Sequence, residues 1–271
     1  MMLGVSTSVL VDKANFDGLL EYGPQIVEFY TYPPAAIPVI SEFCADNGIV
    51  PALHTPTPHP TGITRYCPTG PDPDEAEAAA VAMEATVRCA AELAAQHVVV
   101  HFPTPYPPHP ADAFDRFAGP FLDFAAVLAR EHGVTVLLEN LTPNTHCSSA
   151  EQYAKVLDGW PDLGLCLDVG HAFLRAGPDE VLAFADLVGD RIKSVHLYDT
   201  DPDVPGHHPY PAPGHGRAPA VPHEVIAHVI RTCRPAAVVL EHESSDRVAP
   251  DHATLDWLRQ VAAPHLEENR R

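Results

Sequence analysis

Three histidines and three carboxylates close short apolar runs in this chain: Leu53-His54, Val100-His101, Leu138-Glu139, Leu167-Asp168, Val195-His196 and Leu240-Glu241. Each one alone has an ordinary explanation, because a terminal His satisfies a backbone group and a terminal Asp caps the next helix. Together they form an inventory of ligands and proton carriers. Carboxylates gathered at one place repel one another and resist ionisation unless cations or hydrogen bonds compensate them. A divalent metal is the economical compensation. Imidazole nitrogen mixed with carboxylate oxygen suits Zn²⁺ or Mn²⁺, with Fe²⁺ and Co²⁺ in the same group, better than Ca²⁺.

Such residues act together only if the chain brings the ends of those runs to one place. Short β-branched or apolar stretches stand near 3–8, 26–30, 49–53, 97–102, 134–139, 163–168, 192–197 and 236–241. Ala-, Leu- and Glu-rich stretches of helical composition separate them at 74–95, 112–132, 149–158, 178–187, 222–233 and 252–263, while 12–23 and 34–47 read less clearly. Strands alternating with helices imply a parallel sheet with right-handed crossovers, and eight repeats allow it to close. The expectation is α/β, a (β/α)₈ TIM barrel, with residues 1–271 as one domain. An open doubly wound sheet is the alternative, but no glycine-rich nucleotide motif supports it. Closed barrels carry their chemistry at the C-terminal strand ends, which is where the six residues fall, with strand two ending near Glu28.

Bulk properties narrow the partners. The 271 residues, 46% of them hydrophobic, suffice for one buried core, and the longest apolar runs are strand-sized, far below the roughly 20 residues of a membrane span. No basic region followed by an apolar stretch opens the chain, so a cytoplasmic location is expected. The six cysteines, at 44, 67, 89, 147, 166 and 233, form no C-x-x-C pair and read as reduced thiols. A formal charge of −20 sets a repulsive average field against nucleic acid, which leaves a small-molecule substrate as the expected partner. A homo-oligomer is compatible with the sequence, which fixes no stoichiometry. Seventeen histidines and thirty prolines are the compositional anomalies, the prolines concentrating at 33–38, 51–73, 103–110 and 202–222 as loop punctuation.

The ordered set Leu138-Glu139-Asn140, Leu167-Asp168-Val169-Gly170-His171, Val195-His196-Leu197-Tyr198-Asp199 and Leu240-Glu241 resembles the xylose isomerase-like superfamily. That superfamily includes sugar (phosphate) isomerases and epimerases and the family 2 apurinic endonucleases, and the resemblance runs from about residue 3 to about residue 260. It implies that Glu139, Asp168, His196 and Glu241 share one metal. In the isomerase branch the two glutamates also exchange the substrate proton, which would make Glu139 and Glu241 the acid/base pair. The endonuclease branch adds a second metal on histidines matching His54 and His101, bridged by Glu139. A third metal in that branch corresponds to His171 with an aspartate and a histidine of the following loop, for which Asp203, His207 and His208 are the candidates. The resemblance therefore implies one to three divalent metals per chain. Here His207 and His208 stand seven and six residues before Gly214-His215-Gly216, a departure from that branch's spacing of four. In the isomerase branch His171 instead binds a substrate hydroxyl.

Two mouth loops, 55–73 and 199–221, are long and rich in Pro and Gly, the kind of segment that covers a substrate at a barrel mouth. Arg65 and Tyr66 in the first and Arg217 in the second are the expected substrate contacts. Asn140 is expected to orient its neighbour Glu139, and Glu243 is the rival of Glu241 for the eighth strand end. The leading reading is a metal-dependent isomerase or epimerase acting on a small polyhydroxylated or keto compound. The alternatives are a multi-metal hydrolase or a lyase/dehydratase on the same scaffold, and a catalytically idle barrel used for binding.

Overall fold

Strand alternation decides which side chains enter the centre of this fold and which meet its helices. The computed structural model describes the chain except for residues 61–64, 104–110, 143–145, 201–205, 244–251 and 269–271. Eight parallel strands close in sequence order into a barrel: β1 Met2–Ser6, β2 Ile26–Tyr30, β3 Val50–His54, β4 Val98–His101, β5 Val136–Glu139, β6 Gly164–Asp168, β7 Ile192–Leu197 and β8 Ala237–Leu240. The closing pair, β1 with β8, aligns Gly4 with Val239. Outward residues such as Val27, Leu53, Val100, Leu138, Leu167, Val195 and Val238 belong to the main core beneath the helices. Inward residues form two small dry groups, Ile26, Ala52, Ala237 and Val239 in one and Val99, Leu137 and Cys166 in the other. A strand buried on both faces must be apolar almost throughout, which explains the uninterrupted Val and Leu runs of the sequence.

Helices cover the outside: α1 Asp17–Leu20, α2 Ile37–Asn47, α3 Pro73–Glu92, α4 Ala111–His132, α5 Ala150–Gly159, α6 Val169–Ala176, α7 Pro178–Val188, α8 His223–Cys233 and α9 His252–Glu268. Several starts are written in the chain. Asp72 accepts from the amides of Asp74 and Glu75 just before Pro73, and Ser149 with Gln152 forms a reciprocal capping box on α5. The unclear connection 12–23 holds only the four residues of α1, whereas 34–47 holds the eleven-residue α2. No helix among the described residues is long and apolar enough to cross a membrane.

Two local expectations need correction. Strand β2 runs on to Tyr30, so Glu28 lies one layer below the mouth, fully buried, instead of at the strand end. In addition, an unexpected helix, α6, begins directly after Asp168, whose carboxylate caps it by accepting from the His171 amide at 2.8 Å. One carboxyl group thus closes a strand and opens a helix.

Candidate metal centre

Moving two residues up a strand returns to the same face, so each inward apolar residue carries a polar one directly above it. His54 follows Ala52, His101 follows Val99, Glu139 follows Leu137, Asp168 follows Cys166, and Glu241 follows Val239. His196 enters from β7, where it is aligned with Asp168. One donor atom each from Glu139, Asp168, His196 and Glu241 falls in a set mutually within 4.8 Å, and His54, His101 and Glu139 form a second such set. Donors bound to a single Zn²⁺ lie at most about 4.6 Å apart, twice a typical ligand distance. The four-residue set, with pairs as close as 2.8 and 3.5 Å, falls within about that span. Glu243, by contrast, is exposed, which settles the register in favour of the buried Glu241.

Glu139 divides its two oxygens between the sets. Oε2 lies 3.0 Å from His54 Nε2 and 3.2 Å from His101 Nε2, while Oε1 lies 3.5 Å from His196 Nδ1 and 4.0 Å from His171 Nδ1. His54 Nδ1 donates to the Thr55 carbonyl at 2.9 Å. A ring committed in that way presents a lone pair at Nε2, so a second proton or a cation must separate Nε2 from the carboxylate. His196 has the same need, with Nε2 3.0 Å from Glu28 Oε1 and Nδ1 2.8 Å from Glu241 Oε2.

These contacts set the protonation states without a metal. Burial depresses the His196 pKa, but Cys166, Glu241 and Glu28 outweigh it and hold the ring well above the usual imidazole range. At His54 burial is likewise overcome, by the hydrogen bond and charge of Glu139. Glu139 itself is held well below the carboxylate range, burial being outweighed by His101, His196 and His54. Asp168 moves the other way. Burial raises its pKa, and Glu139 and Glu241 oppose the relief offered by His171 and His207.

The donor set fits a divalent cation on a further ground. Asp168 Oδ2, His196 Nδ1 and Glu241 Oε2 are buried, come from three different strand ends, and make no aligned hydrogen bond among the described residues. Their short mutual approaches are out of line for one. Orphaned polar atoms of this kind are costly, and aiming several at one point makes sense when an ion completes them.

The surrounding residues hold Asp168 in place. Its Oδ1 receives both the His171 amide and the Tyr198 hydroxyl, at 2.8 and 2.9 Å, which leaves Oδ2 for a ligand. Gly170 permits this, since a Cβ there would stand 2.4 Å from the Tyr198 ring. Asn140 corrects its expectation: it faces away from Glu139, as successive strand residues must, and exchanges two hydrogen bonds with the Asp168 backbone, at 2.9 and 2.8 Å. The Asn140 carbonyl accepts from His171 Nδ1 at 3.0 Å, so Nε2 is the ring nitrogen left for a ligand.

A model of the family described as xylose isomerase-like TIM barrel matches residues 11–261. The chain belongs to that family. Among solved structures, this xylose isomerase-like barrel is similar to a D-tagatose 3-epimerase-like protein, at 19% identity and TM-score 0.70 over 99% of each chain. It is also similar to a 3-keto-D-glucoside 4-epimerase from E. coli, at 16% identity and TM-score 0.72 over 96% of this chain and 99% of that one. A Thermus thermophilus protein soaked with zinc chloride resembles it at 23% identity and TM-score 0.66, over 97% of this chain and 99% of that one. At these identities the likeness establishes the fold. No curated protein matches the sequence.

The loop residues are distributed differently from expectation. His207 lies beside His171, with ring centroids 5.9 Å apart. It stacks on Tyr198 at 3.7 Å and donates Nδ1–H to the Glu241 carbonyl at 3.0 Å. His208 pairs its backbone with Asp199 in a short antiparallel bridge. Asp203 lies outside the described residues. Arg217 sits 2.7 Å from the buried Asp199, whose other oxygen accepts the Ala220 amide, so this cation pins the loop. Arg65 is exposed, whereas Tyr66 turns its hydroxyl inward beside Thr55. His97 escaped the sequence reading altogether. It shares a face with Val99 and His101 by period-two spacing and approaches Glu28 Oε2 at 3.4 Å.

Proposed function

We propose that this barrel is a divalent-metal-dependent isomerase or epimerase of a small polyhydroxylated or keto compound. The ligand set is Glu139, Asp168, His196 and Glu241, and Zn²⁺ or Mn²⁺ is the preferred ion. The carrying observation is that Glu139 Oε1 and Glu241 Oε2, from strands separated by β6 and β7, both reach towards His196 Nδ1. A divalent cation held there would polarise the substrate oxygens beside the reacting carbon. One glutamate takes a proton from that carbon, and the other supplies a proton to the opposite face. His171 and His207 offer their Nε2 atoms to substrate hydroxyls. Arg65, exposed in loop 55–73, joins them when substrate binds. The epimerase names of two structural relatives support the same chemistry.

Solvent isotope tests this reading. Zinc- or manganese-loaded protein turning over a ketose or keto-glycoside in D₂O should place deuterium on the reacting carbon and carry about one metal per chain. Turnover with no label in either substrate or product would count against the two-glutamate mechanism.

A second reading is a two-metal hydrolase, favoured by the approach of His54 and His101 to Glu139 Oε2. The double variant His54→Ala with His101→Ala separates the two. A hydrolase loses one metal equivalent and nearly all activity; an isomerase keeps its metal and loses substrate positioning. We place the enzyme in the cytoplasm as a single domain over residues 1–271, in keeping with six buried cysteines that form no disulfide.

A further inference from the structure

Beneath the mouth, two residues above Ile26 on β2 and level with Ala52 on β3, lies one fully buried carboxylate, Glu28. Placing a charge there is expensive unless every lone pair has a purpose. Both oxygens are directed at imidazoles: Oε1 lies 3.0 Å from His196 Nε2 and Oε2 lies 3.4 Å from His97 Nε2. His97 is 1% exposed and rises from the residue before β4 on the same inward face. The Oε1–Nε2 approach is short without being a well-aligned hydrogen bond, but a carboxylate only accepts, so an imidazole nitrogen held 3.0 Å from it is the one to carry the proton. Nδ1 also faces carboxylates, Glu241 Oε2 at 2.8 Å and Glu139 Oε1 at 3.5 Å, and on the metal reading the cation takes the place of a proton there and meets the Nδ1 lone pair.

We propose that Glu28, steadied by His97, is a positioning residue that fixes the tautomer and ring orientation of His196 and thereby sets the metal affinity of the mouth. The inference rests on the metal reading of the four-residue set. Without Glu28 the Nε2–H loses its carboxylate acceptor, and the Cys166 thiol beside the ring is a weak substitute. The ring is then free to carry its proton on Nδ1, where it blocks the ion. A carboxylate behind a ligating imidazole also raises its donor strength, and removing such partners typically weakens metal binding about 10- to 100-fold. His97 acts one step further out by holding the second oxygen of Glu28.

Zinc affinity, measured by competition with a chromophoric chelator on the full chain, tests this directly. Glu28→Gln, which keeps the shape and removes the charge, should weaken zinc binding about 10- to 100-fold with the circular dichroism unchanged. Long-range ¹H–¹⁵N spectra of zinc-loaded wild-type protein supply a readout that a merely structural role would not move. The His196 signal, assigned by its absence in His196→Asn, should show a proton on Nε2 and none on Nδ1. This second measurement needs no variant at position 28, so a Glu28 variant that failed to fold would leave the inference testable. Wild-type zinc affinity in Glu28→Gln, or a His196 proton on Nδ1, overturns the inference alone. Wild-type protein that binds no divalent metal overturns the metal reading itself, and the inference with it.

Discussion

Leu137 and Glu139, Cys166 and Asp168, and Val239 and Glu241 are neighbours on the same face of the same strands, yet their environments demand opposite things. The lower member of each pair fills a dry layer with Val99, Ile26 and Ala52, where shape alone matters. The upper member meets other polar atoms, where charge and hydrogen-bond direction matter and several atoms have no hydrogen-bond partner among the described residues. Stability therefore resides mainly in the lower layer, and the upper layer carries a cost that bound ligand offsets. Mutations should separate the two cleanly.

The largest expected effect is on activity in the upper layer. Glu241→Gln keeps an oxygen and removes a base, and should reduce turnover about 10²- to 10⁴-fold while the urea midpoint stays within experimental scatter. Unfolding of that variant at room temperature would show that the mouth also carries the fold. Next comes the lower layer: Leu137→Ala, at a fully buried position, should lose about 2–5 kcal/mol of stability by chemical denaturation and retain measurable zinc binding.

A pH series on metal-free protein distinguishes the lumen from its outer wall. The raised pKa values of His54, His171 and His196 contribute stability that is full below about pH 6.5 and fades as pH rises through their higher folded values. His242 acts in the opposite direction. Burial lowers its pKa from 6.5 to about 4, with His207 adding to the effect, so folding loses stability as pH falls from 6.5 towards 4. The loss amounts to at most about 3–4 kcal/mol at 1.36 kcal/mol per unit. His242→Gln, beside the Tyr22 hydroxyl, should flatten the acid limb alone, as read from the melting temperature against pH. Saturating zinc should flatten the alkaline limb alone, because the cation replaces the protons that the lumen histidines would lose. The smallest effect is zinc itself at moderate excess: at ten times Kd it should add about 1.4 kcal/mol, reversed by EDTA.

Much of this arrangement was legible in the sequence because β strands report their geometry locally. Apolar runs ending in His, Asp or Glu located the strand ends, and barrel closure then gathered those six residues without any knowledge of side-chain contacts. What escaped depends on the third dimension. Glu28 looked like a strand end because polar residues usually stop apolar runs, whereas β2 continues through it to Tyr30. His97 was hidden at the foot of β4, although its spacing from Val99 and His101 marks it as inward. Asn140 was assigned to its covalent neighbour when alternation turns it towards β6. The seat of His207 beside His171 is set by a loop whose pairing with Asp199 no local pattern announces.

The carboxyl group of Asp168 divides its oxygens between two duties, Oδ1 capping α6 through the His171 amide and Oδ2 facing the donor cluster. Any ligand that immobilises Oδ2 also immobilises Oδ1, so the lifetime of the cap is tied to occupancy of the mouth. The amide proton of His171 then becomes a gauge of the site. Its exchange with solvent deuterium should slow as the site fills, while amides on the far side of the barrel, such as those of α2, keep their own clock.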